Sequence, residues 1–207
     1  MAGGEISGQK SASDLAALIA RAADDRNNPS KGLPPVDRWN PPFCGDIDME
    51  IRSDGTWFYM GTPIGRQPLV RLFSTVLRKD EDGKTYLVTP VEKVGIQVED
   101  APFLAVEMAV TNENGVQTLT FRTNVGDVVE AGPEHPIRFA FAGEEKQLKP
   151  YVHVRGRLEA LVSRPIMYEM VELGEPVSID GRDMFAIRSG GAVFPVMPMD
   201  ELESLSQ

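Results

Sequence analysis

An alternating segment near residue 50 constrains the fold more than any other feature of the sequence. Between Asp46 and Arg52, polar and apolar residues alternate without a break, which is typical of a strand with one buried and one solvated face. Asp54 and Gly55 then favour a tight turn, and residues 56–60 are rich in β-forming side chains. We therefore predict a β-hairpin, and a chain that contains it must bury one face of a sheet.

The residues after this hairpin change to a helical period. Apolar side chains recur at helical spacing from Leu69 to Leu77, and Arg78 and Lys79 suit the negative end of a helix. We predict a helix over 67–79, followed by strands over 85–88 and 91–98. The first unit then reads as two strands, a helix and two strands.

The second unit begins with another predicted hairpin, and the remaining predictions along it are less regular. The predicted hairpins cover 103–123, with a turn at 112–115, and 183–196, around Gly190 and Gly191. Between them we predict a loop over 126–136, a strand over 151–154, helical turns over 156–162 and a strand over 164–173.

The two ends of the chain read differently from its middle. An amphipathic helix is predicted over 13–26, docked on the body of the protein or on a protein partner. Prolines make residues 33–42 an extended strap. The acidic tail, 199–207, is predicted as a short helix or a disordered segment.

These elements predict an α+β fold of two small antiparallel-sheet units, 34–98 and 99–198, each with a packed helix; residues 1–33 form an N-terminal helix and extension. A gapless match between 51–58 and 187–194, identical at five of eight positions, hints at an internal duplication. Tight turns restrict residue choice, so chance similarity stays an alternative.

Composition narrows the setting and the partners. The single cysteine, Cys44, forms no internal disulfide, and its neighbours predict a buried thiol. No leader or membrane-spanning run is visible, so we expect a cytoplasmic protein without membrane insertion. A formal net charge of −10 disfavours duplex nucleic acid as a partner. Six Lys and Arg against four Asp and Glu between residues 66 and 93 still leave room for a small anion.

Four stretches resemble a bacterial family known as domain of unknown function 1285. They are residues 34–39, 45–59, 62–73 and 89–93, and the likeness extends from about residue 33 to residue 173. The resemblance implies a two-domain α+β fold with a repeated motif and a second domain loosely similar to pleckstrin-homology barrels. It also implies an inter-domain cleft for a nucleotide-like ligand and a role in signal transduction.

Two groups of residues carry the predicted ligand site. In the first unit, the loop before residue 67 can offer helix N–H groups and a guanidinium to an anion, and two aromatic rings can stack a base. In the second unit, an alternating row combines an aromatic ring, an imidazole and two guanidiniums. The predicted ligand-binding residues are Trp57, Tyr59, Arg66, Arg71, Lys93, Tyr151, His153, Arg155 and Arg157.

Signatures of catalysis are absent from the sequence. It has no nucleophile elbow, no Walker-type loop and no zinc-protease helix, and two histidines and one cysteine make a standard zinc site improbable. We predict no cofactor and no catalytic residue. The row Asp46, Asp48 and Glu50 can hold a hard cation or act as acid and base, but a solvated strand face is the favoured explanation.

We favour a non-enzymatic module that binds or senses a small anionic, nucleotide-like ligand between Arg66 and Arg155. Two alternatives stay open: a hydrolase or transferase that uses Asp46, Asp48, Glu92 or His153, and an adaptor that binds a protein through the N-terminal helix.

Overall fold

The computed structural model describes residues 16–17, 19–20, 32–144 and 147–205. Strands dominate the described part. The chain divides into two compact units, Met1–Ile51 with Thr56–Val98 and Arg52–Gly55 with Glu99–Gln207. The two-domain organisation predicted from the sequence is confirmed.

The first unit is a six-stranded sheet with one helix. Its elements are β1 (Phe43–Ile51), β2 (Trp57–Tyr59), β3 (Thr62–Pro63), α1 (Gln67–Thr75), β4 (Leu77–Lys79), β5 (Thr85–Val88) and β6 (Lys93–Val98). The strand order is β3-β2-β1-β6-β5-β4. Neighbouring strands run antiparallel except β1 and β6, which are parallel.

The predicted hairpin of β1 and β2 is confirmed. Met49 and Ile51 are buried, while Asp46 and Asp48 on the other face of β1 are exposed. Ile51 lies opposite Trp57, and the turn between them needs a positive φ, which Gly55 supplies at +82°.

Two predictions in the first unit are wrong in detail. Helix α1 ends at Thr75, because Leu77–Lys79 instead pair with Thr85–Leu87 in an antiparallel hairpin. Buried Val76 and Leu77 satisfy a helical period and a strand equally well, so periodicity alone misplaces this boundary. The strap is not fully extended either, since Val36–Arg38 form one turn of 3₁₀-helix.

The second unit contains a six-stranded sheet, a three-stranded sheet and two helices. Its elements are β7 (Phe103–Glu113), β8 (Val116–Thr123), β9 (Val128–Glu130), β10 (Ile137–Ala142), β11 (Gln147–Arg155), β12 (Leu158–Val162), α2 (Arg164–Val171), β13 (Glu175–Ile179), β14 (Arg182–Ser189), β15 (Ala192–Pro198) and α3 (Met199–Leu205). The sheets have the orders β10-β11-β12-β7-β8-β9 and β13-β14-β15. The predicted hairpins β7–β8 and β14–β15 are confirmed.

Two elements of the second unit have the opposite type from the predicted one. Arg164–Val171 is a helix, in which Pro165 occupies the first turn and Ile166 and Met170, four residues apart, are buried. Leu158–Val162 is a strand whose alternate residues are buried, whereas we predicted helical turns there. In both segments the apolar residues had the spacing of the observed element, but over too few residues to decide between helix and strand.

Two further differences concern strands, and the tail adopts one of its two predicted states. The predicted loop over 126–136 contains β9, and β10 was not predicted. The acidic tail forms α3, which contacts β14 and β15. The predicted antiparallel sheets each contain one parallel pair, β1 with β6 and β12 with β7.

The two six-stranded sheets share one topology. Each consists of two three-stranded meanders, and the first strand of the first meander pairs in parallel with the last strand of the second. The sequence echo does not follow this repeat, because it aligns β1–β2 with β14–β15 rather than with β7–β8. Internal duplication therefore stays a prediction.

The ends of the chain are described in part. Ala16, Ala17, Ile19 and Ala20 are helical, and Ile19 is fully buried; the rest of the helix predicted over 13–26 lies outside the described residues. In the part of the chain that the structure describes, no helix is long and apolar enough to cross a bilayer.

Cys44 is exposed, so the prediction of a buried thiol is wrong. Its Sγ lies 3.5 Å from the carbonyl oxygen of Pro42. Strand β2 pairs with β1 only from Met49 onward, which leaves the beginning of β1 uncovered on that side among the described residues. The residues next to Cys44 in the sequence do not indicate whether a neighbouring strand covers it.

Candidate ligand-binding site

Trp57 belongs to the core of the first unit. Its side chain is 1% exposed, and its ring stacks on Phe73 of α1 with a centroid distance of 6.3 Å. Its Nε1 is buried and has no hydrogen-bond partner among the described residues. A ring so covered offers no surface to a ligand. Its burial argues against the predicted ligand contact of Trp57. Tyr59, two residues along β2, is half-buried.

The beginning of α1 offers little to an anion. The carbonyl of Arg66 accepts hydrogen bonds from the N–H groups of Leu69, at 2.9 Å, and Val70, at 3.3 Å. Pro68 has no N–H, so Gln67 is the one residue of this first turn whose N–H has no partner among the described residues. Arg66 and Arg71 are both exposed. The anion site at this helix stays a prediction.

Lys93 takes part in a charge cluster on the first sheet. Its Nζ lies 3.0 Å from Asp80 and 4.5 Å from the centroid of the Tyr86 ring. Arg78 binds the same carboxylate with two nitrogens, at 2.6 and 3.2 Å. The hydrogen bond from Arg78 is the main cause that holds the pKa of Asp80 below its usual value.

This cluster fastens the strap to the sheet. The Nη1 of Arg78 donates to the carbonyl oxygens of Val36, at 2.8 Å, and Trp39, at 2.7 Å. Asp80 binds the same guanidinium, and Lys93 in turn binds Asp80. The contacts of Lys93 thus have a structural explanation.

The row of carboxylates on β1 is confirmed as a strand face. Asp46 and Asp48 are exposed and Glu50 is half-buried. No group of three or more His, Cys, Asp or Glu in the described ranges is arranged to hold a metal ion. Glu92 lies in a turn, where its N–H donates to Oγ1 of Thr89 at 3.1 Å.

Tyr151 is largely buried in the second unit. Its hydroxyl donates to Asp100 at 2.7 Å, and the guanidinium of Arg138 lies 4.1 Å from its ring centroid. Lys149 donates to the other oxygen of Asp100 at 2.6 Å. Burial and then the hydrogen bond to Asp100 raise the pKa of Tyr151 to about 12. Packing and hydrogen bonding account for this side chain without a ligand.

His153 is held by backbone oxygens. Its Nε2 lies 2.9 Å from the carbonyl of Gly156, and its Nδ1 lies 3.2 Å from that of Glu134. Its ring stacks on His135 with a centroid distance of 5.4 Å. Both ring nitrogens therefore already have neighbours within the protein.

The predicted row from Tyr151 to Arg157 is broken at Gly156. This glycine has a φ of +53° and turns the chain out of β11, so Arg157 does not continue the strand. Arg155 forms an ion pair with Asp127 at 2.7 Å and lies 4.8 Å from the centroid of the Phe103 ring. The pair is four-fifths buried. The structure thus brings Arg155 to an internal carboxylate.

A cavity of about 310 Å³ lies elsewhere in the second unit. Three segments border it: the β7–β8 turn with the first residues of β8, the segment from α2 to β13, and the facing parts of β14 and β15. The lining residues are Gly115, Val116, Gln117, Leu173, Glu175, Arg188, Gly191 and Ala192.

Hydrogen bonds next to the cavity join β8 to the β14–β15 hairpin. The side-chain amide of Gln117 donates to the carbonyl of Arg188 at 2.8 Å, and the N–H of Gly190 donates to the carbonyl of Gln117 at 2.9 Å. Ser189, fully buried, accepts from the N–H of Leu119 and donates to the carbonyl of Ala131. These bonds hold this side of the cavity in one geometry.

The cavity carries one pair of opposite charges. Nε of Arg188 donates to a carboxylate oxygen of Glu175 in a short hydrogen bond. Their side chains are 51% and 52% exposed. Among the described residues, no other charged residue lines the cavity. The arrangement presents a guanidinium that a carboxylate already occupies, beside the apolar side chains of Val116, Leu173 and Ala192.

Sequence reasoning predicted the two hairpin turns that border this cavity but not Arg188 itself. The only signal was the stretch Ile187-Arg188-Ser189, which belongs to the match between 51–58 and 187–194. The cavity depends on which sheets face each other, and local patterns do not report that.

Comparisons with known proteins agree with the resemblance. Residues 34–101 match "Domain of unknown function (DUF1285), N-terminal domain", and residues 102–196 match "Protein of unknown function (DUF1285), C-terminal domain". None of the curated proteins that were compared matches the chain.

Two solved structures are similar to this chain. One is a DUF1285 family protein from Silicibacter pomeroyi DSS-3, with 52% identity, a TM-score of 0.77, and coverage of 90% of this chain and 97% of that chain. The other is a DUF1285 family protein from Shewanella baltica OS155, with 27% identity, a TM-score of 0.49, and coverage of 61% of this chain and 91% of that chain. The matches to both domain descriptions and the 52% identity to the Silicibacter protein show that this chain belongs to the DUF1285 family.

Proposed function

We propose that the chain is a non-enzymatic module that binds a small anionic molecule in the cavity of its second unit and has a role in signal transduction. The single observation that carries the proposal is the guanidinium of Arg188 at the cavity, held by a carboxylate that a ligand can replace. The site moves from the predicted pair Arg66 and Arg155 to this cavity, because the ion pair of Arg155 with Asp127 is about four-fifths buried, whereas that of Arg188 with Glu175 is half exposed.

The size and construction of the cavity support binding. Its volume of about 310 Å³ is at the lower end of the usual range for ligand sites, roughly 300–1,000 Å³. The hydrogen bonds of Gln117 and Ser189 fix its wall before a ligand arrives, which lowers the entropic cost of binding.

A sensing role follows from which segments a ligand would touch. The cavity is bordered by the β7–β8 turn and by the three-stranded sheet, so a ligand bridges two parts of the unit. Binding then favours the arrangement in which both parts contact the ligand. The proposal includes a second unit that is loosely similar to pleckstrin-homology barrels. The two sheets and the C-terminal helix α3 of that unit support this likeness.

A thermal-shift and calorimetric screen tests the proposal. The screen uses nucleoside monophosphates, cyclic nucleotides and short monocarboxylates on the wild-type chain, on Arg188→Ala and on Arg182→Ala. Arg182 is the matched control, because it lies on the same strand and pairs with Asp200 away from the cavity. We expect binding that Arg188→Ala removes and Arg182→Ala preserves. Lack of binding across the whole panel, or binding that Arg188→Ala retains, contradicts the proposal.

Neither alternative function is favoured by a specific observation. Asp46 and Asp48 are exposed carboxylates on a strand face, and Glu92 lies in a turn. Most of the helix on which an adaptor role depends lies outside the described residues.

A further inference from the structure

We infer that the ligand of this cavity is a small monocarboxylate with an apolar body, and that its carboxylate takes the place of Glu175 on Arg188. The inference rests on the proposed function, which it narrows from anions in general to one head group. It also removes the nucleotide-like ligand that the family resemblance implied.

The first step concerns how easily Glu175 can leave. Glu175 is the first residue of β13 and lies opposite Ala186, so it reaches Arg188 diagonally, two residues further along β14. Both side chains are about half exposed. Exposed ion pairs contribute only about 0–1 kcal/mol, so a ligand displaces Glu175 at little cost.

The second step concerns the charge that the site accepts. The eight lining residues include one cation and one anion. A monocarboxylate replaces the Glu175 carboxylate with an equal charge and the same planar geometry, which matches the fork of a guanidinium. A phosphate monoester brings a charge of about −1.5 to −2 near a displaced Glu175, in a chain of net charge −10. The site therefore disfavours phosphates.

The third step concerns the body of the ligand. Val116, Leu173 and Ala192 give the cavity apolar walls from three different segments. The amide of Gln117 is directed toward the carbonyl of Arg188, at 2.8 Å, and is thereby held in place. A short aliphatic or aromatic body buries apolar surface there, and the volume of about 310 Å³ limits its length.

Three probes with the same carbon chain test the head group. Hexanoate, hexanamide and hexyl phosphate are titrated into the full chain by calorimetry. We expect hexanoate to bind, and the neutral amide and the phosphate to bind at least tenfold more weakly. Glu175→Gln keeps the shape of the side chain but removes the competing charge, so it should tighten hexanoate binding by about 1.5- to fivefold.

Further variants distinguish loss of the binding site from loss of folding. Arg188→Ala should abolish hexanoate binding, while Arg182→Ala should not change it. If Arg188→Ala fails to fold, Ala192→Phe fills the cavity and leaves the Arg188–Glu175 pair intact. It should also abolish binding.

The outcomes separate the two proposals. Arg188-dependent binding of hexyl phosphate that is tighter than that of hexanoate overturns this inference and leaves the proposed function intact. Hexanoate binding that Glu175→Gln weakens or leaves unchanged also overturns the displacement of Glu175. Absence of Arg188-dependent binding for all three probes and for the wider screen overturns both.

Discussion

Ser189 and Leu119 are joined by a hydrogen bond of 2.8 Å, in which the N–H of Leu119 donates to the side-chain oxygen of a fully buried serine. The same hydroxyl donates to the carbonyl of Ala131 at 2.6 Å. One side chain thus satisfies two backbone groups that the sheets leave unpaired, and it connects β14 to the six-stranded sheet of the second unit.

Replacing Ser189 by alanine should therefore be costly. The N–H of Leu119 and the carbonyl of Ala131 lose their partner in a buried place, and we expect a fall of about 1–3 kcal/mol in the free energy of unfolding. Urea denaturation measures it. Ser178→Ala, at an exposed position on β13, is the control and should change stability by less than about 0.5 kcal/mol. Equal effects of the two variants would contradict the assigned role.

The neighbouring glycines allow a test of close packing. Gly190 and Gly191 both have positive φ, +56° and +78°. A Cβ on Gly190 would lie 2.7 Å from the carbonyl oxygen of Ala131, whereas a Cβ on Gly191 meets nothing within 4 Å. Both alanine variants incur backbone strain of about 1–2 kcal/mol. Gly190→Ala should be the less stable of the two in urea denaturation, and the reverse order would be evidence against this packing.

The charge cluster of Asp80 predicts an acid-sensitive contribution to stability. Its pKa is lowered in the folded chain, chiefly by the hydrogen bond from Arg78. The contribution is therefore present above the unfolded pKa, near the usual 3.8, and is lost as pH falls below it through the folded pKa. Urea midpoints measured from pH 6 downward should fall more steeply for the wild type than for Asp80→Asn. Parallel curves for the two proteins are the contrary outcome.

Tyr86 and Tyr151 should titrate late. The hydrogen bond to Asp82 and then burial raise the pKa of Tyr86 to about 12, and burial and then Asp100 raise that of Tyr151 to about 12. Because both values are raised, their contribution to stability is present below about pH 10 and is lost as pH rises through about 12. Ultraviolet titration of tyrosinate should show two delayed groups. Asp100→Asn should lower the pKa of Tyr151 alone, and an unchanged titration would argue against the hydrogen bond.

The sequence predicted hairpins well because their signals are local. The turn at Gly55 and the turn at Asn114 and Gly115 require positive φ, and glycine and asparagine accept it cheaply. Alternation on β1 then set the register of that strand. Each of these features is contained within a few neighbouring residues.

Errors arose where a short segment satisfied two periods. Phe73, Val76 and Leu77 fit a helix, yet pairing with β5 makes Leu77 the first residue of a strand. The stretch from Arg164 to Val171 contains enough apolar residues for a strand, but Pro165 suits the first turn of a helix. Pairing with a strand that comes later in the sequence decides that Leu77 lies in a strand. In the second segment, the position of the proline was the available signal.

The candidate site was the least predictable part. Arg155 looked available in the sequence, but its partner Asp127 comes from a turn between β8 and β9. Arg188 became a candidate only when β13, β14 and β8 were found around one cavity. A charge is useful to a ligand according to its neighbours in space, and these are set by tertiary packing.

The parallel pairs have a consequence for synthesis on the ribosome. Phe103 of β7 pairs with Ala160 of β12, a separation of 57 residues (160 − 103), so this sheet has a high contact order and completes late. Until β12 emerges, β7 keeps one open edge, which is the kind of edge at which nascent chains aggregate. In the first unit, β1 likewise lacks its parallel partner until β6 has been synthesised. Each six-stranded sheet is therefore complete only when its last central strand has left the exit tunnel.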